Sequence, residues 1–301
     1  MRPFALLPVC FMLAAMILSF LCIFAGSKKG FMEDYHIVLL NSSRIGSSIF
    51  NTSSTHSGDN IFTTFIHNIT NGIENELGSG FNSLAKQLGV HDFYSAHVLD
   101  YCEGYFSPTP VPNATFSAGK ITMNVTKCSN RTALYHFDPT QTLQHELNDS
   151  GHSDISLTDL HWPSPVDNGF AALRVAQRVA FVLYCIAIGM SSFALSMSLI
   201  AVLLAGRLSA SINILVSSLA FLAIGLASAI TTVVATKAEH AINDHGAVVS
   251  ISASKGVKFL ILTWVATGLA LSSALVWYGE CVVGRRKASK GLTSYTGGAV
   301  E

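Results

Sequence analysis

The side chains with the greatest capacity for chemistry lie in one long polar segment. Its histidines include His56, His67, His91, His97, His136, His145, His152 and His161. Imidazole is the commonest metal ligand, so their spacing is the first question. His145-Glu146-Leu-Asn-Asp149 comes nearest to the zinc-protease pattern His-Glu-x-x-His, where two histidines one helical turn apart hold the metal. Asp149 stands where the second histidine is needed. No Gly-x-Ser-x-Gly nucleophile elbow occurs. The histidines are therefore expected to be solvated or packed. The reading is a non-enzymatic chain with no catalytic residue, no cofactor and no metal.

Two further residue types give the segment an address. Asn-x-Ser/Thr acceptor sites stand at Asn41, Asn51, Asn68, Asn113, Asn124, Asn130 and Asn148, and nowhere else in the chain. Seven sites confined to one segment imply glycosylation in the secretory lumen and exposure outside the cell. Cys102 and Cys128 are the two cysteines of the segment. Disulfides belong to that oxidising compartment, so the two are expected to pair. Two separate thiols or an intermolecular bridge are the alternatives.

Hydrophobic runs must hold this segment in place. Half of the 301 residues are apolar and 12% are charged. Soluble domains carry about 25% charged residues, so the deficit places the chain in the membrane class. Net charge is zero, and nothing points to a nucleic-acid partner. Phe4–Ala25 is apolar apart from Ser19 and long enough to cross a bilayer core. A cleaved signal peptide is the rival reading, but its apolar core is shorter. Val179–Gly206, Leu208–Thr236 and Phe259–Gly279 are the later runs. Small residues recur in them at steps of four, as at Ala266, Ala270 and Ala274, which lets lipid-embedded helices approach closely within a bundle or in a homo-oligomer. Trp264, Trp277 and Tyr278 suit interfacial belts. No Asp, Glu, Lys, Arg or His occurs at membrane depth, which argues against an ion or proton pathway.

Arg285, Arg286, Lys287 and Lys290 follow the last run and mark a cytosolic tail. Four spans then put both termini in the cytosol and the glycosylated segment outside. Cys281, at the inner end of the last span, is a candidate for S-palmitoylation. The fold class is a membrane all-α bundle of four transmembrane helices with a large, mixed α/β, disulfide-containing first extracellular loop. The divisions are 1–26 for the first helix, 27–174 for the loop domain, 175–282 for helices two to four, and 283–301 for the tail.

Within the loop, Phe62, Phe65, Ile66, Ile69, Ile73, Leu77, Leu84 and Leu88 fall on one helical face, broken at Gly78-Ser-Gly80. Pro108, Pro110 and Pro112 favour extended chain. Lys120–Thr126 alternates and reads as a strand. Pro139–Pro165 is polar without a sustained period and reads as a loop, as does the link from Lys237 to Lys258.

The run Gly89-Val-His-Asp-Phe-Tyr-Ser-Ala-His-Val-Leu-Asp-Tyr-Cys-Glu-Gly104, set in a four-span chain with a large first loop, resembles the fungal Sur-seven/PalI family. The local likeness rests on Asp92-Phe93-Tyr94 and on Tyr101-Cys102-x-Gly104. The family is distantly similar to claudins, whose Trp and closely spaced cysteines this chain lacks. The resemblance implies a plasma-membrane glycoprotein of the eisosome compartment at the cell cortex. Such proteins stabilise membrane furrows and affect endocytosis, sphingolipid balance and wall integrity. Membrane lipids and other eisosome or cortical membrane proteins would be its partners. The PalI branch, an accessory in ambient-pH signalling, is the alternative. Its members carry long cytosolic tails, whereas this tail is short.

Overall fold

The computed structural model describes residues 6–45, 89–107, 121–149, 164–203, 207–246 and 250–296. The apolar face between Phe62 and Leu88 and the prolines from Pro108 to Pro112 lie outside them. The chain forms two compact units. One comprises Met1–Ile23, Val179–Ile230 and Leu260–Glu301, and the other Phe24–Arg178 with Thr231–Phe259.

The first unit is built from four helices long and apolar enough to cross a membrane. They are α1 (Leu6–Phe24), α3 (Ser164–Leu203), α4 (Arg207–Gly246) and α5 (Val257–Thr296). A shorter α2 (Pro139–Asp149) belongs to the second unit. Lipid offers no partner to a bare N–H or C=O, and a helix satisfies both within itself. Lipid also removes the usual reason to bury large apolar groups, so close packing decides what goes inside. Ala15, Ala187, Ala223, Ala266 and Ala270 gather with Ile224 in one buried cluster. Leu215, Leu219, Leu222, Leu226 and Val233 of α4 are exposed, at steps of three, four or seven along one face.

Hydroxyls lock the helices in register. Thr263 Oγ1 lies 2.6 Å from the Tyr184 hydroxyl and 2.7 Å from Ser228 Oγ, which is itself 2.9 Å from Thr267 Oγ1. Ser198 donates to Asn213 Oδ1 at 3.0 Å. Met12 and Ala15 of α1 are fully buried in this packing, so the first run is an integral helix of the bundle. Of Trp264, Trp277 and Tyr278, Trp277 packs inside. Small Ala201 and Ala210 leave room for its ring, and it is buried against them. Trp264 and Tyr278 are exposed.

The second unit is organised by an antiparallel five-stranded sheet of order β4-β3-β2-β1-β5. Its strands are β1 (Val38–Asn41), β2 (Phe93–Ala96), β3 (Tyr101–Ser107), β4 (Thr122–Cys128) and β5 (Ser252–Lys255). The alternating stretch after Lys120 is β4, shifted two residues onward. Three expectations are corrected here. Pro139–Asp149 is not a loop but α2. Asp138 caps it by accepting from Gln141 N at 3.2 Å, and Thr142, Leu143 and Leu147 bury one face. The link from Lys237 to Lys258 is not a loop either: α4 runs on to Gly246. Finally, β5 adds a strand beside β1, pairing Val38 with Lys255 and Asn41 with Ser252. Its chain turns through Gly256, where a Cβ would sit 1.5 Å from His36 O.

Candidate functional site

The family-like run folds into the β2–β3 hairpin and the residues that brace it. His97 N donates to Asp100 O at 2.9 Å and closes the turn. Phe93 pairs with Gly104, and Ser95 with Cys102. Gly104 is demanded by its neighbours: a Cβ there would lie 2.1 Å from Asn124 O and 2.8 Å from Phe93 Cζ. Asp92 is buried and accepts from Phe106 N at 3.0 Å. The Tyr94 hydroxyl accepts from His91 N at 3.1 Å. Cys102 and Cys128 stand directly opposite on β3 and β4 and are joined by a disulfide, as their shared compartment led one to expect. At a sequence separation of 26, the chain-entropy model gives about 3.5 kcal/mol of stabilisation.

The strand period sorts the hairpin onto two faces. Phe93, Cys102, Phe106 and Val125 form a buried apolar cluster on one. The other carries Tyr94, Tyr101, Glu103 and Tyr105. The register slips between Glu103 and Gly104, leaving Thr126 as the extra residue of β4, and Thr126 Oγ1 donates to Glu103 O at 3.0 Å.

On this second face the structure brings three ionisable groups together. His91, Glu103 and Glu146 each offer a ligand atom, and those atoms all lie within 4.8 Å of one another. His91 Nδ1 is 3.3 Å from Glu146 Oε2. That is an ion-pair approach without hydrogen-bond alignment, so the buried ring nitrogen lacks a hydrogen-bond partner. The Tyr105 ring lies against the imidazole at a centroid distance of 4.9 Å. Burial holds the Glu103 carboxyl above the usual range, and the Glu146 charge pushes it the same way. Burial also works to raise Glu146, but His91 and Glu103 outweigh it and leave that carboxyl lowered.

At the hairpin turn, Asp100 is fully buried and neither carboxylate oxygen has a hydrogen-bond partner. Burial pushes it up to about 7, with Arg131 pulling the other way. His97 is buried and pushed down to about 3 by burial and by His36. It is neutral at physiological pH.

The near-zincin stretch does not assemble as one site. His145 pairs with Asp149 at 3.4 Å on the exposed side of α2, whereas Glu146 joins the sheet cluster. Asn124, Asn130 and Asn148 are exposed. Asn41 is half-buried, and its Oδ1 accepts from Ser43 Oγ at 2.7 Å. Cys281 is partly exposed on α5. Asn51, Asn68 and Asn113, with His56, His67, His152 and His161, lie outside the described residues. Sequence reading missed Glu103 and Glu146 as functional candidates. The available signal was Glu103 itself, a carboxylate on a strand between residues that must pack.

Four apolar helices and a disulfide-tied sheet between the first two define a multi-pass membrane protein. The model of the SUR7/PalI family matches residues 4–276. The chain belongs to that family. A relative, "SUR7 family protein pun1" of Schizosaccharomyces pombe (strain 972 / ATCC 24843), is 24% identical over 179 residues, 56% of this chain. The match spans 57% of that relative's length, little more than half. No solved structure matches the chain.

Proposed function

We propose that this protein is a non-enzymatic organiser of the plasma membrane that holds a stationary furrow domain of the eisosome type. The carrying observation is the bundle itself: small residues and paired hydroxyls join its helices, and the apolar runs hold no Asp, Glu, Lys, Arg or His. Transport chemistry would require such groups. In this reading the disulfide-tied sheet faces the cell wall and carries N-glycans, with Asn124, Asn130 and Asn148 the accessible acceptors and Asn41 the least used. Both termini lie in the cytosol, and Cys281 is available for palmitoylation. Lipids and other cortical membrane proteins are the partners, and small-residue faces provide homo-oligomer contacts. Live-cell imaging of a fluorescent fusion tests the reading. Stationary cortical patches are expected, with slowed endocytosis or altered sphingolipid balance on deletion. Free diffusion over the whole surface would defeat it.

One observation favours a second reading, an accessory in ambient-pH signalling. Asp100 is buried and held near neutrality, so it changes charge where external pH changes. A deletion strain that grows normally at alkaline pH would remove this alternative.

A further inference from the structure

We propose that His91, Glu103 and Glu146 form a binding site for a divalent cation of the zinc class, which clasps α2 to the sheet. The three ligands come from three places: two residues before β2, the middle of β3, and α2. Zinc takes nitrogen and oxygen donors at about 2.0–2.2 Å in a tetrahedron, whose edge is then about 3.3–3.5 Å. The separation of His91 Nδ1 from Glu146 Oε2, 3.3 Å, is such an edge. The full set of ligand atoms lies within 4.8 Å of one another.

Charge supplies an independent argument. Glu103 is 3% exposed, and its nearest counter-charge is the Lys127 amine at 4.0 Å, on a side chain three-quarters exposed. A buried carboxylate beside a second one needs a cation closer than that. His91 Nδ1 is buried, and its close approach is to Glu146 Oε2 at 3.3 Å, outside hydrogen-bond alignment. The ring is held for the task. Its backbone N donates to Tyr94, its carbonyl accepts from Ser42 Oγ at 2.6 Å, and Tyr105 packs on its face. Glu146 and His91 keep slight exposure, at 13% and 16%, which gives an ion a way in. One imidazole and two carboxylates favour zinc over calcium or magnesium, which prefer all-oxygen sites. Water completes the tetrahedron.

The test uses the full chain in detergent, stripped with chelator and titrated with Zn²⁺ by calorimetry. One ion per chain is expected. Glu146→Gln, Glu103→Gln and His91→Asn should each weaken binding at least about tenfold. The wild type should also gain thermal stability with Zn²⁺, and Glu146→Gln should not. The double substitution H145A/D149N, on the exposed side of the same helix, should bind as the wild type does. Failure of the wild type to bind Zn²⁺ would overturn the proposal. Wild-type affinity in E146Q would too, as would loss of binding in H145A/D149N. Should E103Q fail to fold, E146Q carries the test, with the Cys102–Cys128 disulfide and circular dichroism as its folding controls.

Discussion

The bundle and the sheet follow opposite packing rules although one chain makes both. Inside the bundle small residues, Ala15, Ala187, Ala223, Ala266 and Ala270, bring the helices together around a few large ones such as Met12, Tyr184 and Trp277, while many large ones face out. Inside the sheet the residues are large, Phe93, Phe106 and Tyr94, and the carboxyl groups of Asp92, Asp100 and Glu103 are buried with them. The surrounding solvent explains the contrast. Water drives apolar bulk inward, while lipid is indifferent to it and leaves close approach and hydroxyl pairing to hold helices together. Polar groups are thus cheap glue in one unit and costly or purposeful in the other.

The sharpest way to break the contrast is Gly104→Val. A side chain there meets Asn124 O and Phe93 at once, and the obstruction is backbone, so the sheet cannot yield. A loss above about 4 kcal/mol is expected. It should be read as retention in the secretory pathway and loss of the folded sheet by limited proteolysis. The same change at Gly268 of the bundle, which has nothing within 4 Å of its would-be Cβ, should cost little.

Removing the disulfide with C102S/C128S should cost about 3.5 kcal/mol, confined to the sheet. Protease accessibility of the sheet should rise while bundle fragments stay intact. A smaller effect tests buried charge. The Asp100 carboxyl is raised above its unfolded value, so the folded state holds the proton more tightly. The stability of the sheet should then fall as pH rises from about 4 through about 7, and level off above. Asp100→Asn should flatten that slope, leaving stability below about pH 4 unchanged and raising it at pH 8 by on the order of 2 kcal/mol, allowing for screening near the turn. Thermal unfolding across pH measures it. The smallest effect belongs to the bundle. Thr263→Val removes the partner of Tyr184 and Ser228 and should cost about 0.6–1.7 kcal/mol, read by unfolding in mixed detergent.

How far each region could be read beforehand follows the same division. The spans are legible because a membrane helix writes its requirement as one unbroken apolar run. The pairing of Cys102 with Cys128 is legible from compartment, and β4 from its alternation. Two elements were not. α2 commits only Leu143 and Leu147 among large apolar residues to its buried face, too few to set a period in a polar stretch. β5, Ser-Ala-Ser-Lys, has little strand propensity of its own and exists because β1 offers it an edge. His91, Glu103 and Glu146 are far apart in the chain and meet only once β2, β3 and α2 are in place. The family-like residues had a clear local signature, but their work is architectural: Asp92 ties β3, Tyr94 holds the His91 backbone, and Gly104 admits Phe93.

The strand supplied between α4 and α5 sets a schedule for biogenesis. Until Ser252–Lys255 leaves the ribosome, β1 presents a bare edge, the kind of edge that recruits foreign strands. Four-fifths of the polypeptide must therefore be made before the domain begun at Val38 can seal. A nascent chain stalled before that point would display an unfinished sheet with β1 as its open edge.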